Sequence, residues 1–208
     1  MRAEVLADTN NLKKDDAARK NVAKKYGWRQ SGYLNWKVEK DFFFCLFHLQ
    51  PKDASLEVKP LYFDDLWWEI SSMFENKKKP SMSLRGLGVA AISSQEIARY
   101  DVIGDDLDTY TVVDLEKTWD SVFERVSSDV LLFLKNNPDA NLFIPDESKV
   151  RAMDRDRLDY MMSLLHNNRF EEVMSIITEA KAKNHKCSFR GSKGDSYDYI
   201  LEWCKKHK

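Results

Sequence analysis

The sequence predicts an α+β protein, with an antiparallel sheet of three to five strands, packed helices and a C-terminal helical subdomain. Three observations predict this fold class. Residues 33–63 show the two-residue alternation of β-strands around one stretch that is apolar on both faces. Residues 113–136 carry apolar side chains at the 3.6-residue spacing of a helix. Beyond residue 150 every apolar stripe has helical spacing.

The composition indicates a globular protein with a sizeable core. Of the 208 residues, 43% are hydrophobic and 12% aromatic, whereas only 7 are glycine and 5 proline. The 33 basic residues nearly balance the 34 acidic ones, so no overall basic field attracts nucleic acid or anionic lipid. The sequence contains no secretory signal and no stretch of roughly 18 apolar residues. We expect a cytoplasmic protein without membrane contact, whose Cys45, Cys187 and Cys204 are free thiols.

The first half of the chain predicts a helix over 11–26, ended by Gly27, and then an antiparallel meander. In the first strand the apolar side chains at 34, 36 and 38 alternate with polar ones at 35, 37 and 39, which predicts one wet face. The polar tip at 39–41 predicts a turn. The second strand, 42–49, is apolar on both faces, which predicts a central position in the sheet.

The third strand alternates over 55–63, with Glu57 and Lys59 on the face predicted to be wet. Pro60 cannot donate to a ladder, so this strand is an edge or ends near Pro60. A helix over 64–76 is expected next, with Asp64 or Asp65 as its N-cap.

Later segments complete the predicted organisation. Residues 81–92 are a candidate fourth strand, and the capping-box pattern Ser93-x-x-Glu96 predicts a short helix to Tyr100. After the helix over 113–136, polar and proline-containing segments separate two domains. We expect an α+β domain over 1–140 and a small helical subdomain over 150–208.

Motifs for cofactors and metals are weak. Gly86-x-Gly88 matches a loose dinucleotide fingerprint, but it does not follow a buried strand. The potential zinc ligands near the C-terminus have unsuitable spacing and lie partly on an apolar helix face; these are His185, Cys187, Cys204 and His207. We expect neither a metal nor a cofactor.

Two functions other than protein binding stay open. An enzyme would place its site between the sheet and the C-terminal helices, and the catalytic candidates are His48, Asp105, Asp106 and Arg190. His48 is chosen because an imidazole in an aromatic setting can act as a base. A single-stranded nucleic-acid binder would stack bases on the aromatics of the sheet, although the basic, glycine-containing signature of such modules is missing.

One part of the chain resembles a known family. The order of a helix, Lys24-Lys-Tyr-Gly-Trp28, Leu34-Asn-Trp36 and an aromatic strand ending at Leu49-Gln50-Pro51 resembles a bacterial domain of unknown function. The resemblance covers about 11–75 and implies a small α+β domain of an accessory, immunity-type or interaction protein. It implies no catalytic residue. The segment from Leu165 to Ala180 is similar to one tetratricopeptide hairpin, which implies helix packing only.

The leading expectation is a non-catalytic, cytoplasmic bacterial binding or immunity-type protein that acts through a protein surface. Catalytic spacings are absent and the charges are balanced. Trp28, Trp68 and Trp203 are the candidate partner-binding residues, because each falls at the margin of its element's apolar stripe. An exposed aromatic side chain is a suitable anchor for a partner. The sequence leaves the oligomeric state open.

Overall fold

The computed structural model describes residues 2–50, 52–78, 82–87, 91–102, 109–146, 156–185, 187 and 189–208. It is an α+β fold, as the sequence predicts. The helices of the described residues are α1 Arg2–Lys25, α2 Leu61–Ile70, α3 Phe74–Lys78, α4 Met82–Leu87, α5 Val112–Asn136, α6 Leu158–His166, α7 Phe170–Ala182 and α8 Ser196–His207. The strands are β1 Arg29–Ser31, β2 Leu34–Glu39, β3 Phe42–Gln50, β4 Asp53–Pro60, β5 Gln95–Asp101, β6 Arg190–Gly191 and β7 Gly194–Asp195.

The chain divides into two compact units that alternate along the sequence. The first contains Met1–Val58 and Glu96–Pro138, and the second contains Lys59–Gln95 and Asp139–Lys208. The sequence predicts one division after residue 140 and assigns 59–95 to the N-terminal domain. In the compact units this segment, which carries α2, α3 and α4, belongs with the C-terminal helices.

The predicted meander is present in a five-stranded antiparallel sheet of order β1-β2-β3-β4-β5. The apolar strand β3 is its middle strand, which confirms the prediction from its two apolar faces. Lys40 and Asp41 form the tight turn before it, with φ of 48° and 62°. These left-handed angles match the twist of paired strands in a two-residue hairpin. The short strand β1 was not predicted.

Helices α1 and α5 cover one face of this sheet. Phe133 of α5 meets the rings of Phe42 and Phe44 edge-on, at centroid distances of 5.1 and 5.7 Å. Asn35 lies on the same face, since it pairs with Leu46 in register, and it is fully buried. The expected wet face of β2 is therefore wrong at Asn35. The physical reason is that Arg19 of α1 donates to Asn35 Oδ1 over 2.7 Å, which satisfies the buried amide oxygen.

The end of α1 follows the prediction from Gly27. This glycine has φ of +75°, and Trp28 N–H donates to Ala23 O over 2.9 Å. Gly27 N–H donates to Lys24 O over 3.2 Å. The two bonds form a Schellman motif, in which glycine adopts the left-handed conformation without a Cβ penalty. The helix begins earlier than predicted, at Arg2.

Strand β4 ends at Pro60, as predicted, but its polar face is not wet. Glu57 is 1% exposed and Lys59 is fully buried. The Lys59 ammonium donates to Asp64 Oδ1 over 2.9 Å and to the carbonyls of Arg85 and Ile92, each over 2.6 Å. These acceptors compensate the lost hydration of the cation. The alternation of polar residues in β4 therefore does not indicate exposure.

The predicted N-cap of the following helix is wrong. Helix α2 begins at Leu61 with Pro60 as N-cap and no side-chain cap bond. Asp64 lies inside the first turn, where its carboxylate faces Lys59. The helix over 64–76 is also interrupted, because Ser72 adopts φ of +62° and separates α2 from α3.

Two local predictions between α3 and α5 are wrong. Residues 82–87 form helix α4 and not a strand, while Gln95–Asp101 form strand β5 and not a short helix. Strand β5 lies beside β4, so pairing with the sheet overrides the local capping-box signal. By contrast α5 begins at Val112 with a capping box of Thr111 and Asp114, close to its predicted start. The three C-terminal helices are present as predicted.

Candidate binding cleft

A cleft of about 330 Å³ lies in the second unit, beside α8. Its walls come from the end of α2, the start of α3, the β6–β7 hairpin and one face of α8. We call it the Trp203 cleft, and the residues that matter below are Glu69, Phe74, Lys193, Tyr199, Glu202 and Trp203.

The pattern of α8 explains why these side chains face the cleft. Asp195 caps the helix by accepting from the backbone N–H groups of Tyr197 and Asp198. Ile200 and Cys204 are fully buried on the inner stripe. A second face of the helix lines the cleft through positions 199, 202, 203, 206 and 207, which follow the i, i+3, i+4, i+7, i+8 spacing.

Trp203 forms the aromatic wall of the cleft and is half-buried. Its ring stacks on His207, with centroids 4.0 Å apart and an interplanar angle of 17°. Phe170 supports the indole from α7 at 5.9 Å. Because a carbonyl only accepts, His207 Nδ1 donates to Trp203 O over 2.9 Å, which fixes the imidazole over the indole. Phe74, on α3, adds an aromatic ring that is 53% exposed.

Tyr199 lies on the hairpin side of the cleft. Its hydroxyl oxygen accepts from the Lys193 backbone N–H over 3.3 Å and lies 3.5 Å from the Ser192 hydroxyl. The Ser192 hydrogen bond, followed by that of the Lys193 backbone, lowers the pKa of Tyr199. The hairpin can approach this closely because position 191 is glycine: a Cβ there would lie 2.3 Å from Tyr199 Oη.

Two lysines at the cleft share one carboxylate. Lys206 Nζ lies 2.6 Å from Glu202 Oε1, and Lys193 Nζ lies 3.3 Å from Oε2 of the same carboxylate. The hydrogen bond from Lys206, and then that from Lys193, lowers the pKa of Glu202. Glu69, at the end of α2, also lines the cleft and is paired with Lys77. We call Lys193, Glu202 and Lys206 the lysine–glutamate trio; its formal charge is +1.

Of the three tryptophans predicted as surface anchors, Trp203 lines this cleft and the other two are buried. Trp28 is 2% exposed and packs against Phe123 at 6.0 Å. Trp68 is 1% exposed, with the Arg85 guanidinium 5.0 Å above its ring. The predicted exposure of Trp28 and Trp68 is therefore wrong. A residue at the margin of an apolar stripe can still be covered by another element, which a single helix or turn does not reveal.

The predicted catalytic residues do not gather in the cleft. His48 is 4% exposed in the first unit, and its ring nitrogens are 2.9 Å from Asp15 Oδ2 and 3.1 Å from Asp53 O. Arg190 is exposed on β6 and is not part of the cleft lining. Asp105 and Asp106 lie outside the described residues.

The C-terminal histidines and cysteines do not form a metal centre in the described part of the chain. Cys187 and Cys204 are free and buried, as is Cys45. Among the described residues no group of three or more His, Cys, Asp or Glu side chains is arranged to hold a metal ion. Burial is the largest cause of a raised pKa at Cys187, which disfavours the thiolate that a metal ligand or nucleophile requires.

Comparison with protein families, with curated proteins and with solved structures finds no match to this chain. The resemblance of residues 11–75 to a bacterial domain of unknown function gains no support from it. Among the described residues, no helix combines the length and apolarity required to cross a membrane.

The sequence predicts Trp203 as an anchor but does not indicate most of the residues around it. The sequence predicts Phe74 within one helix over 64–76, whereas in the structure the break at Ser72 places Phe74 at the start of α3, where its ring is exposed. Tyr199 and Glu202 were not singled out. The i, i+3, i+4 spacing of Tyr199, Glu202 and Trp203 on α8 was the available signal for a second functional face.

Proposed function

We propose that this chain is a cytoplasmic bacterial binding protein of the immunity type, which holds a segment of a partner protein in the Trp203 cleft. One observation carries the proposal: a half-buried tryptophan, packed against the rings of Phe170 and His207, lines a concave site beside the exposed ring of Phe74. A rigid aromatic anchor with a charged rim is typical of the residues that dominate binding energy at protein interfaces.

The geometry gives less support to the enzyme alternative. Neither His48 nor Arg190 reaches the cleft, and His48 is enclosed by Asp15 and Trp119. A general base must come within hydrogen-bond reach of a substrate, which a covered imidazole does not do. Tyr199 is the cleft residue with a perturbed pKa. Its hydroxyl has the Ser192 hydroxyl and the Lys193 backbone N–H as hydrogen-bond partners, and neither is a general base.

The nucleic-acid alternative also loses support. It requires sheet aromatics that are free to stack on bases. Phe42, Phe43 and Phe44 are fully buried, so none of the three offers a ring face to a base. The net charge of -1 adds no attraction for phosphates.

Site-specific photo-crosslinking in cells tests the proposal. A photo-reactive phenylalanine in place of Phe74, which lines the cleft and stays aromatic in this exchange, should form one dominant protein adduct. The same group at Lys135, an exposed position of α5, should not form it. Trp203→Ala should abolish the adduct while far-UV circular dichroism and the denaturation midpoint stay close to wild type.

Two outcomes would contradict the proposal. In the first, no adduct forms from position 74, or the same adducts form from positions 74 and 135. In the second, the adduct survives Trp203→Ala in a folded protein. Trp203→Phe is the matched control, because it retains an aromatic wall and should keep most of the adduct.

A further inference from the structure

The lysine–glutamate trio points to the chemistry of the segment that the cleft receives. The ammonium groups of Lys193, in the hairpin, and Lys206, on α8, share the single carboxylate of Glu202. Their side chains are 42% exposed for Lys193, 42% for Glu202 and 61% for Lys206, so a bound segment can reach them. One positive charge is left over beside the aromatic wall. A negatively charged group on the bound segment would complement this positive charge.

The rest of the rim does not cancel this charge. Glu69 is paired with Lys77, and Glu75 of α3 is paired with Lys78. Beyond α8, Glu171 is paired with Lys208. Each of these carboxylates already has a cation, so the trio is the place where a further carboxylate gains a partner. Trp203 follows Glu202 directly in the sequence, and both residues line the same cleft.

We propose that the Trp203 cleft binds a peptide segment in which an apolar or aromatic residue is flanked by an acidic side chain. The apolar residue lies against Trp203 and Phe74, and the acidic carboxylate binds Lys193 and Lys206. This inference rests on the proposed binding function and specifies its partner. The occupant is an internal segment of a partner protein that carries its carboxylate on a side chain.

Peptide display with the purified chain as bait tests this specificity. Random peptides are displayed with their carboxyl ends fused to the carrier protein, so that no free terminal carboxylate is present. Selected peptides should contain Asp or Glu within a few positions of an aromatic or large aliphatic residue. The affinity of a synthetic consensus peptide, with both ends blocked, is then measured by titration calorimetry at two salt concentrations.

Charge variants of the trio separate a specific site from a structural ion pair. Glu202→Gln removes the carboxylate that competes with the peptide for the two lysines. The change should tighten binding of the acidic peptide about two- to fivefold, because the interaction energy of an exposed charge pair corresponds to a change of this size in affinity. Lys193→Ala with Lys206→Ala should weaken it by about tenfold. Raising the salt concentration should weaken wild-type binding and change the double variant much less.

The outcomes distinguish this inference from the function on which it rests. The selected peptides could need Trp203 but carry basic or neutral residues beside the apolar one, or Glu202→Gln could fail to bind the acidic peptide more tightly than wild type. Either result would overturn the acidic specificity and leave the binding function standing. Peptides that bind Trp203→Ala as well as wild type would overturn both. Failure to select any peptide above the background of Trp203→Ala would also overturn the inference.

Discussion

Nε2 of His48 lies 2.9 Å from Oδ2 of Asp15, and both side chains are buried in the first unit. His48 Nδ1 lies 3.1 Å from Asp53 O, and a carbonyl only accepts, so Nδ1 carries a hydrogen. The contact with Asp15 Oδ2 is the second hydrogen bond of the same imidazole. The other oxygen of Asp15 accepts from Trp119 Nε1 over 2.7 Å. The pair therefore connects β3 to α1 and α5 through satisfied polar groups.

Replacing His48 should destabilise the protein strongly. His48→Leu leaves the buried Asp15 carboxylate with Trp119 but without its imidazole partner, and breaking a buried pair in this way costs about 3–5 kcal/mol. Asp15→Leu with His48→Leu should cost less than the sum of the two single changes. Urea denaturation followed by tryptophan fluorescence measures both. Arg169→Leu, which breaks an exposed pair with Glu172, is the control and should change little. A His48→Leu protein as stable as this control would contradict the prediction.

Lys59→Met should destabilise the protein because it breaks a second buried pair, Lys59 with Asp64, in the second unit. The change removes the cation that Asp64 and the carbonyls of Arg85 and Ile92 share, and we expect a loss of about 3–5 kcal/mol in the free energy of unfolding. The measurement is again chemical denaturation. Lys59→Met with Asp64→Leu should recover part of the loss, because no buried carboxylate remains. If the double variant is no more stable than Lys59→Met, the pair does not carry the effect.

Acid should partly relieve the Lys59→Met variant. Burial raises the pKa of Asp64, and Lys59 is the largest opposing influence. Without Lys59 the folded-state pKa lies further above its unfolded value. Stability from such a group is present below the unfolded pKa, about 4, and is lost as pH rises through the folded pKa. The deficit of Lys59→Met relative to wild type should therefore be smaller at pH 5 than at pH 8.

Gly194→Ala should cost more than Gly27→Ala, although both glycines have positive φ. Gly194 has φ of +118°, and a Cβ there would lie 2.1 Å from Asp198 Oδ2. Gly27 has φ of +75° with nothing within 4 Å of the added atom. The first change combines backbone strain with a clash against the cap of α8, whereas the second carries only a left-handed penalty of roughly 1–2 kcal/mol. Thermal unfolding of the two variants measures the difference, and equal midpoints would argue against the clash.

His166 should make the second unit less stable in mild acid. Its ring stacks on Tyr62 at 3.8 Å, and burial, opposed by Asp139, lowers the pKa of the imidazole. The group contributes stability above its unfolded pKa, about 6.5, which is lost as pH falls through the folded pKa. The imidazole is largely exposed, so solvent screening limits the effect to less than about 1 kcal/mol. His166→Phe keeps the stack and should flatten this part of the stability profile between pH 7 and 5. An unchanged slope would contradict the assignment.

The meander illustrates what periodicity can predict. The two apolar faces of β3 predict its central place in the sheet, and the polar residues before it predict the turn; the structure has both. These features depend on neighbours in sequence, so counting positions recovers them. Helix α5 and the three C-terminal helices follow for the same reason, since burial of one stripe repeats every 3.6 residues.

The errors share a different cause. Asn35 and Lys59 occupy positions that a strand pattern assigns to solvent, yet both are buried because a distant residue supplies the hydrogen-bond partner. The segment 95–101 carries a helix-start signal but forms β5 beside β4. A partner far along the chain changes the free energy of burying a polar group or pairing a strand, and no local window contains that partner.

The amino-acid sequence by itself determined the fold class, the central strand, the main helices and Trp203 as one candidate anchor. Only the tertiary structure decided that Trp28 and Trp68 are covered, that His48 is paired with Asp15, and that Phe74, Tyr199, Glu202 and Trp203 line one cleft. Exposure and concavity are properties of how separate elements pack. A periodic pattern shows which face of an element is apolar, whereas packing determines what covers that face.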